Sequence, residues 1–248
     1  MKIEPNKSYA VITGDIVGST SLPPEAFARL HDVIRQGVKV LRKVYREALP
    51  LDVDIFSGDS WQLLIARPGL ALRVALYLRA HLLANIKGAD TRMAVAIGSV
   101  DTIPGKRVSE GDGEACRLSG RLLEEKSRSS RLRFVAGRQF SGGGVWDASF
   151  HILDALIVRE WTGKRAQAMI GALQGLQQEQ IARLWEPPIR QQAVTKHLRG
   201  AGWDAIQVVL KEFERSFQEE SARDAKRMPL GEIQPNKVVN PKNNPDRL

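Results

Sequence analysis

The sequence predicts an α+β fold: a ferredoxin-like, mostly antiparallel sheet with its helices on one face, followed by an all-α helix-turn-helix domain. Three observations lead there. Apolar spacing switches between period two and period 3.6 in the order β-α-β-β-α-β-α-β up to residue 136; the glycine-rich stretch 137–144 (GRQFSGGG) ends that alternation; and beyond it only helical spacing remains, broken by Pro187 and Pro188.

Residues 8–14 (SYAVITG) are rich in β-branched and aromatic side chains and run into Asp15, so the first strand carries a carboxylate at its end. Over 24–47 the apolar residues Phe27, Leu30, Ile34, Val38, Leu41, Val44 and Tyr45 recur every three or four positions behind two prolines, which suit a helix start. The runs 51–56 (LDVDIF) and 61–66 (WQLLIA) flank the turn residues Ser57, Gly58, Asp59 and Ser60 and read as a hairpin. Pro68 and Gly69 introduce a second helix through Ile86; residues 91–100 (TRMAVAIGSV) form a fourth strand, 114–126 a third helix and 131–136 (RLRFVA) a fifth strand. The boundaries follow: 1–145 for the sheet domain, 146–161 for a connector helix, 162–217 for the helix-turn-helix domain and 218–248 for a disordered tail. That tail, rich in Lys, Asn, Pro and Arg, has too little apolar surface to order itself.

With 43% apolar and 26% charged residues the chain has globular proportions, which excludes a largely disordered protein. The single cysteine, Cys116, excludes an internal disulfide framework and points to a reducing compartment. No signal-like start and no run of ~18 apolar residues occurs, so the expectation is a cytoplasmic protein without a membrane partner. A net charge of +9 favours polyanionic or phosphorylated partners, and the excess is denser toward the C-terminus, where residues 161–248 carry 14 basic and 10 acidic side chains.

Asp15 closes the first strand and Asp59 sits at the hairpin tip, so neighbouring strands would bring both carboxylates to one end of the sheet. Hard oxygen ligands in such a pair suit two divalent ions ~3.5–4 Å apart on a nucleoside triphosphate. Aspartate beside glycine is also the commonest turn composition, so a turn-forming role stays open for each. After Asp15 come Gly18, Ser19 and Thr20, whose backbone N–H groups could cradle phosphates, although no Gly-Lys-Ser/Thr follows to make a P-loop.

Asp15-Ile16-Val17-Gly18-Ser19-Thr20, then Ser57-Gly58-Asp59, then the strand ending in Ile97-Gly98, resemble in order and spacing the catalytic domain of class III nucleotidyl cyclases. The resemblance implies a cyclase-type sheet in which Asp15, the Ile16 carbonyl and Asp59 hold two Mg or Mn ions, with Gly18, Ser19, Thr20 and Gly113 at the nucleotide. It further implies a homodimer, because that family donates an Asn and, four residues later, an Arg across the interface to the transition state. Here Arg121 matches the Arg, while Arg117 stands where the family has its Asn. The position of the usual base-selecting Lys holds Ile55. The chain as a whole resembles the SatD-like proteins, which join a divergent cyclase-like domain to a C-terminal helix-turn-helix; Asp112-Gly113-Glu114-Ala115 and Trp161-Thr162 carry that likeness.

Within residues 173–203, Ile181, Ala182 and Leu184 are expected to pack the first helix of the pair, and Val194 and Leu198 the second, with Gly200 and Gly202 ending it. Arg190, Gln191, Gln192, Thr195, Lys196 and Arg199 would then face outward, able to reach phosphates or base edges of double-stranded DNA. The resulting expectation is a cytoplasmic DNA-binding regulator with a metal-dependent nucleotide-binding, cyclase-like N-terminal domain. The alternative is an active cyclase that turns an NTP into a cyclic mononucleotide, with the helical segment serving assembly.

Overall fold

The computed structural model describes residues 3–4, 7–125 and 130–227, with side chains as far as 217. Five strands, β1 (Ser8–Val17), β2 (Asp54–Phe56), β3 (Ser60–Ile65), β4 (Asp90–Ser99) and β5 (Leu132–Ala136), form one sheet in the order β2-β3-β1-β4-β5. Every neighbouring pair is antiparallel except β4 with β5, so the sheet is mixed. The helices α1 (Pro24–Val44), α2 (Ala71–Asn85) and α3 (Glu114–Glu124) intervene in the expected order.

The helices do not share one face, which corrects the sequence expectation. Side chains alternate across a strand. Ala10, Ile12 and Ile16 of β1 join a core with α1 and α2, whereas Tyr9 and Val11 join a second one with Ala115 and Cys116 of α3. The reason lies in the central strands: AVI of β1 and MAVAI of β4 are apolar on both faces, and a strand apolar on both sides must be covered on both. Thr13, on the α3 side, is buried and donates to Ser119 Oγ at 2.8 Å, which pins α3 across β1. On the other side Gly14 makes room for Trp61: a Cβ there would stand 2.4 Å from the indole.

The remaining helices are α4 (Gly143–Glu160), α5 (Gly163–Leu173), α6 (Gln178–Ala182), α7 (Gln191–Gly200) and α8 (Trp203–Arg227). α4 packs against β5 through Phe150, Leu153 and Ile157, and α5 lies along α2. Phe134, Phe150, Phe213 and Phe217 of β5, α4 and α8 form an aromatic cluster with neighbouring ring centroids 4.8 to 5.7 Å apart, apart from Phe134 and Phe217 at 6.3 Å. One apolar core therefore runs from the sheet through α2 into the C-terminal helices. Residues 218–227 of the expected tail continue α8, and the rest of it lies outside the described residues.

Charge is buried at this junction. Arg79 of α2 is fully buried; it donates from Nε and Nη2 to Asp90 of β4, both at 2.8 Å, and from Nη1 to Asp154 of α4 at 2.5 Å. Arg131 adds a 2.7 Å bond from Nη1 to Asp90 and its own backbone N–H to Asp154. Burial alone opposes these charges, but the paired bonds outweigh it, holding the Asp90 carboxyl below the usual aspartate range and the Arg79 guanidinium above its ordinary value.

Candidate functional site

The register of β1 places Asp15 opposite Ser60 of β3 and opposite Arg92 of β4. Asp59 is one residue beyond Ser60, so the two carboxylate-bearing positions meet at one end of the sheet as the sequence implied. The hairpin tip is left-handed at Ser57 and Gly58 and is anchored twice. His31 Nε2 of α1 lies 2.5 Å from the Gly58 carbonyl, and Ser19 Oγ donates to Asp59 Oδ2 at 2.6 Å. Gly18 enters that loop at φ 63°, where a side chain would strain the backbone, and it faces open space. Thr20 is exposed beside it. Ser19, Thr20, Gly18 and Asp59 thus sit together.

Asp15 is not free to ligate. Arg92 grips it bidentately, Nε to Oδ1 at 2.9 Å and Nη2 to Oδ2 at 2.7 Å, with the carboxylate side chain 20% exposed. Its backbone carbonyl accepts from Thr91 Oγ1 at 2.7 Å. Sequence reading missed Arg92, because only the β1–β4 register brings residues 77 positions apart together. Two divalent ions do not fit this donor set as it stands: the Asp15 charge is already neutralised by Arg92, and an ion ligating Asp15 would first have to displace a like-charged guanidinium from both carboxylate oxygens. Among the described residues no group of three or more His, Cys, Asp or Glu is placed to hold a metal. Ile16, expected to lend its carbonyl, is a buried core residue of β1 in register with Thr91. Of the expected ligands Asp15, Ile16 and Asp59, the structure commits the Asp15 carboxylate to Arg92 and one Asp59 oxygen to Ser19. Asp54, another carboxylate near the hairpin, is spent on Ser109, accepting from its N–H at 3.0 Å and its hydroxyl at 2.5 Å.

Gly113 lies elsewhere. It precedes α3 at φ 141°, and a Cβ on it would meet the Val100 backbone at 2.6 Å. Ser99 pairs with Ser8 at the start of β1, seven residues from Asp15, so Gly113 and Asp15 are separated by roughly 20 Å at ~3.3 Å per residue. Gly113 serves close helix–strand packing and is not part of the Ser19–Asp59 loop cluster. Arg117 is half-exposed and paired with Asp112. Arg121 is exposed, and its guanidinium has no hydrogen-bond or ion-pair partner among the described residues. Arg117 and Arg121 line a groove of about 260 Å³ with Glu114, Leu118, Gly137 and Arg138, which contains no residue of the Asp15 end. Cys116, beside Arg117, is buried, and that burial pushes its thiol up to about 11, so the neighbouring guanidinium does not activate it.

In the C-terminal helices α5, α6 and α7 pack on one another. Gly171 of α5 gives α6 its close approach, since a Cβ there would stand 2.7 Å from Ile181. Ile181, Ala182, Val194 and Leu198 are buried as expected, but Leu184 is 46% exposed because α6 ends at Ala182 and the chain turns away. The connection from α6 to α7 spans residues 183–190, closed by the Ile189 N–H bond to the Ala182 carbonyl. Arg190, Gln191, Gln192, Lys196 and Arg199 are exposed. Thr195 is instead half-buried and donates to Gln178 Oε1 of α6 at 2.6 Å, so it braces the helix pair and does not present a free hydroxyl. His197, stacked on Trp185, has its pKa lowered by burial and by Lys164, Arg165 and Lys196, which marks a concentration of positive charge around α7.

No family model matches this chain. No curated protein matches it either. Among solved structures it is similar to the adenylyl cyclase CyaB from P. aeruginosa, with 17% identity and a TM-score of 0.34 over 54% of this chain and 78% of that one. A likeness that loose carries no argument about chemistry, so the functional reading rests on the residues. No described helix is long and apolar enough to cross a membrane.

Proposed function

We propose that this protein is a DNA-binding regulator whose sheet end, built from Gly18, Ser19, Thr20, Asp59 and the Asp15–Arg92 pair, takes a nucleotide, and whose helices α5 to α7 contact the duplex. The observation that supports this most is the division of α7: Val194 and Leu198 are buried, while Arg190, Gln191, Gln192, Lys196 and Arg199 are all exposed and no ion pair spends the three cations among the described residues. A helix with that division, braced on a second helix, suits the major groove. Phosphate contacts would come from the cations, and base-edge hydrogen bonds from the two glutamines. The apolar core is continuous from the sheet through α2 to α4, α5 and α8, so the nucleotide end and the DNA-facing helices would belong to one packed body. The sequence resemblance to class III cyclases supports the nucleotide half and a homodimer as its assembly, while the single cysteine supports a reducing compartment, the cytoplasm.

A second reading is an active nucleotidyl cyclase, favoured by Arg121: exposed and unpaired among the described residues, it is free to reach a second copy of the chain. Against it, Arg117 lies against Asp112, and a phosphoryl transition state needs several placed donors.

The test combines electrophoretic shifts of the full chain on genomic duplexes across a salt series with thermal shifts on each NTP. Lys196→Ala with Arg199→Ala should weaken binding to all duplexes and flatten the log–log salt slope by ~2, about one released counterion per lost phosphate contact. Gln191→Ala and Gln192→Ala should change sequence preference instead. No duplex affinity at low salt, or a double variant with an unchanged slope, refutes the DNA reading. Cyclic product formed at ~1 s⁻¹ or faster would favour the enzyme.

A further inference from the structure

Resting on the reading that the sheet end takes a nucleotide, we propose that Arg92 takes the place of a metal ion at Asp15. The site is then charged by a fixed arginine, and any divalent ion arrives on the nucleotide, not on the protein. Three observations carry this. Asp15 and Arg92 are directly opposed in a ladder of ten residue pairs between β1 and β4, so the backbone holds the guanidinium at the carboxylate. Both carboxylate oxygens are engaged, at 2.9 and 2.7 Å, and Asp15 is the only hydrogen-bonding partner of the Arg92 side chain among the described residues. Of the other carboxylates near this end, Asp90 is committed to Arg79 and Arg131 and Asp54 to Ser109, which leaves Asp59, itself accepting from Ser19; the cluster of Asp15, Asp59 and Arg92 thus carries one net negative charge, too little to hold two divalent ions.

A bidentate arginine is also a phosphate ligand, because its planar fork matches two phosphate oxygens as well as it matches a carboxylate. The Arg92 side chain is one-third exposed, and its Nη1 makes no hydrogen bond among the described residues, which leaves donors for an incoming anion. A triphosphate lying along Gly18 to Thr20 would meet a positive charge already in place.

The experiment is an electron paramagnetic resonance titration of Mn²⁺, without nucleotide, on the wild-type chain, Asp15→Asn, Arg92→Gln and Arg92→Gln/Asp15→Asn. The wild type should leave the signal of free Mn²⁺ undiminished up to about millimolar metal. Arg92→Gln should bind at least ~10-fold tighter, and the double variant should lose that gain. Wild-type binding that disappears in Asp15→Asn overturns the proposal by itself, without needing any Arg92 variant to fold. A folded Arg92→Gln with no gain also overturns it.

Nucleotide binding is read separately, by thermal shift with ATP and GTP in EDTA. The wild-type shift should survive chelation within about threefold in affinity and fall at least ~10-fold in Arg92→Gln. A shift abolished by EDTA overturns the arginine's role. No shift with any nucleotide, with or without Mg²⁺, removes the nucleotide reading instead and leaves the Mn²⁺ result to decide whether Arg92 blocks a metal.

Discussion

Replacing Arg79 with methionine keeps the volume of the side chain but removes three hydrogen bonds, two to Asp90 and one to Asp154. Asp90 keeps Arg131 Nη1 at 2.7 Å and the Thr91 N–H at 2.8 Å; Asp154 keeps only the backbone N–H of Arg131 at 2.7 Å. Breaking a buried pair of this kind costs ~3–5 kcal/mol. Proton uptake limits the loss, since discharging an ordinary aspartate with a pKa of ~3.9 at pH 7 takes about 4 kcal/mol. The expected destabilisation is therefore ~3–4 kcal/mol at pH 7, which for a chain of this size lowers Tm by about 6–16 °C.

The pH dependence has a defined sign. In the wild type Asp90 is held below its unfolded value, so its contribution is present above ~pH 4 and is lost as pH falls through the lowered value. In the variant two buried carboxylates are left with the single guanidinium of Arg131, which favours uptake of a proton, so the penalty shrinks by ~1.4 kcal/mol per pH unit on acidification, to ~1 kcal/mol near pH 5. Urea denaturation of both proteins at pH 7, 6 and 5 measures this directly. A difference below ~1 kcal/mol at pH 7, or one that does not change with pH, refutes the assignment of a buried charge network.

Gly14→Ala should destabilise by ~1–3 kcal/mol, because its methyl carbon would lie 2.4 Å from the buried Trp61 ring; the same melts, with Trp fluorescence as the probe, check it. Lys196→Ala should raise the pKa of His197, since Lys196 is one of the charges that lower it; two-dimensional NMR titration of the imidazole reads the direction, and an unchanged value would remove Lys196 from the charged surface of α7.

The order of strands and helices was legible in the sequence because each element carries its own period, and chain punctuation at Pro23, Pro68 and Gly142 to Gly144 marks where they begin. The buried stripe of α7 and the meeting of Asp15 with Asp59 at one sheet end followed from spacing and hairpin logic alone. The sequence also held two signals that went unused. Apolar runs on both faces of β1 and β4 call for helices on both sides of the sheet, and Arg79, flanked by Leu76, Tyr77, Leu78 and Ala80 in a mostly apolar helix, calls for buried acids. Only the tertiary structure decided which acids those were. Asp90 and Asp154 lie 11 and 75 positions from Arg79, and Arg92 lies 77 from Asp15; no local pattern encodes such partners, because they are set by strand register and by helices packing across a shared core. The same long-range pairing decided that Asp15 faces an arginine at the place where its motif alone implied a metal.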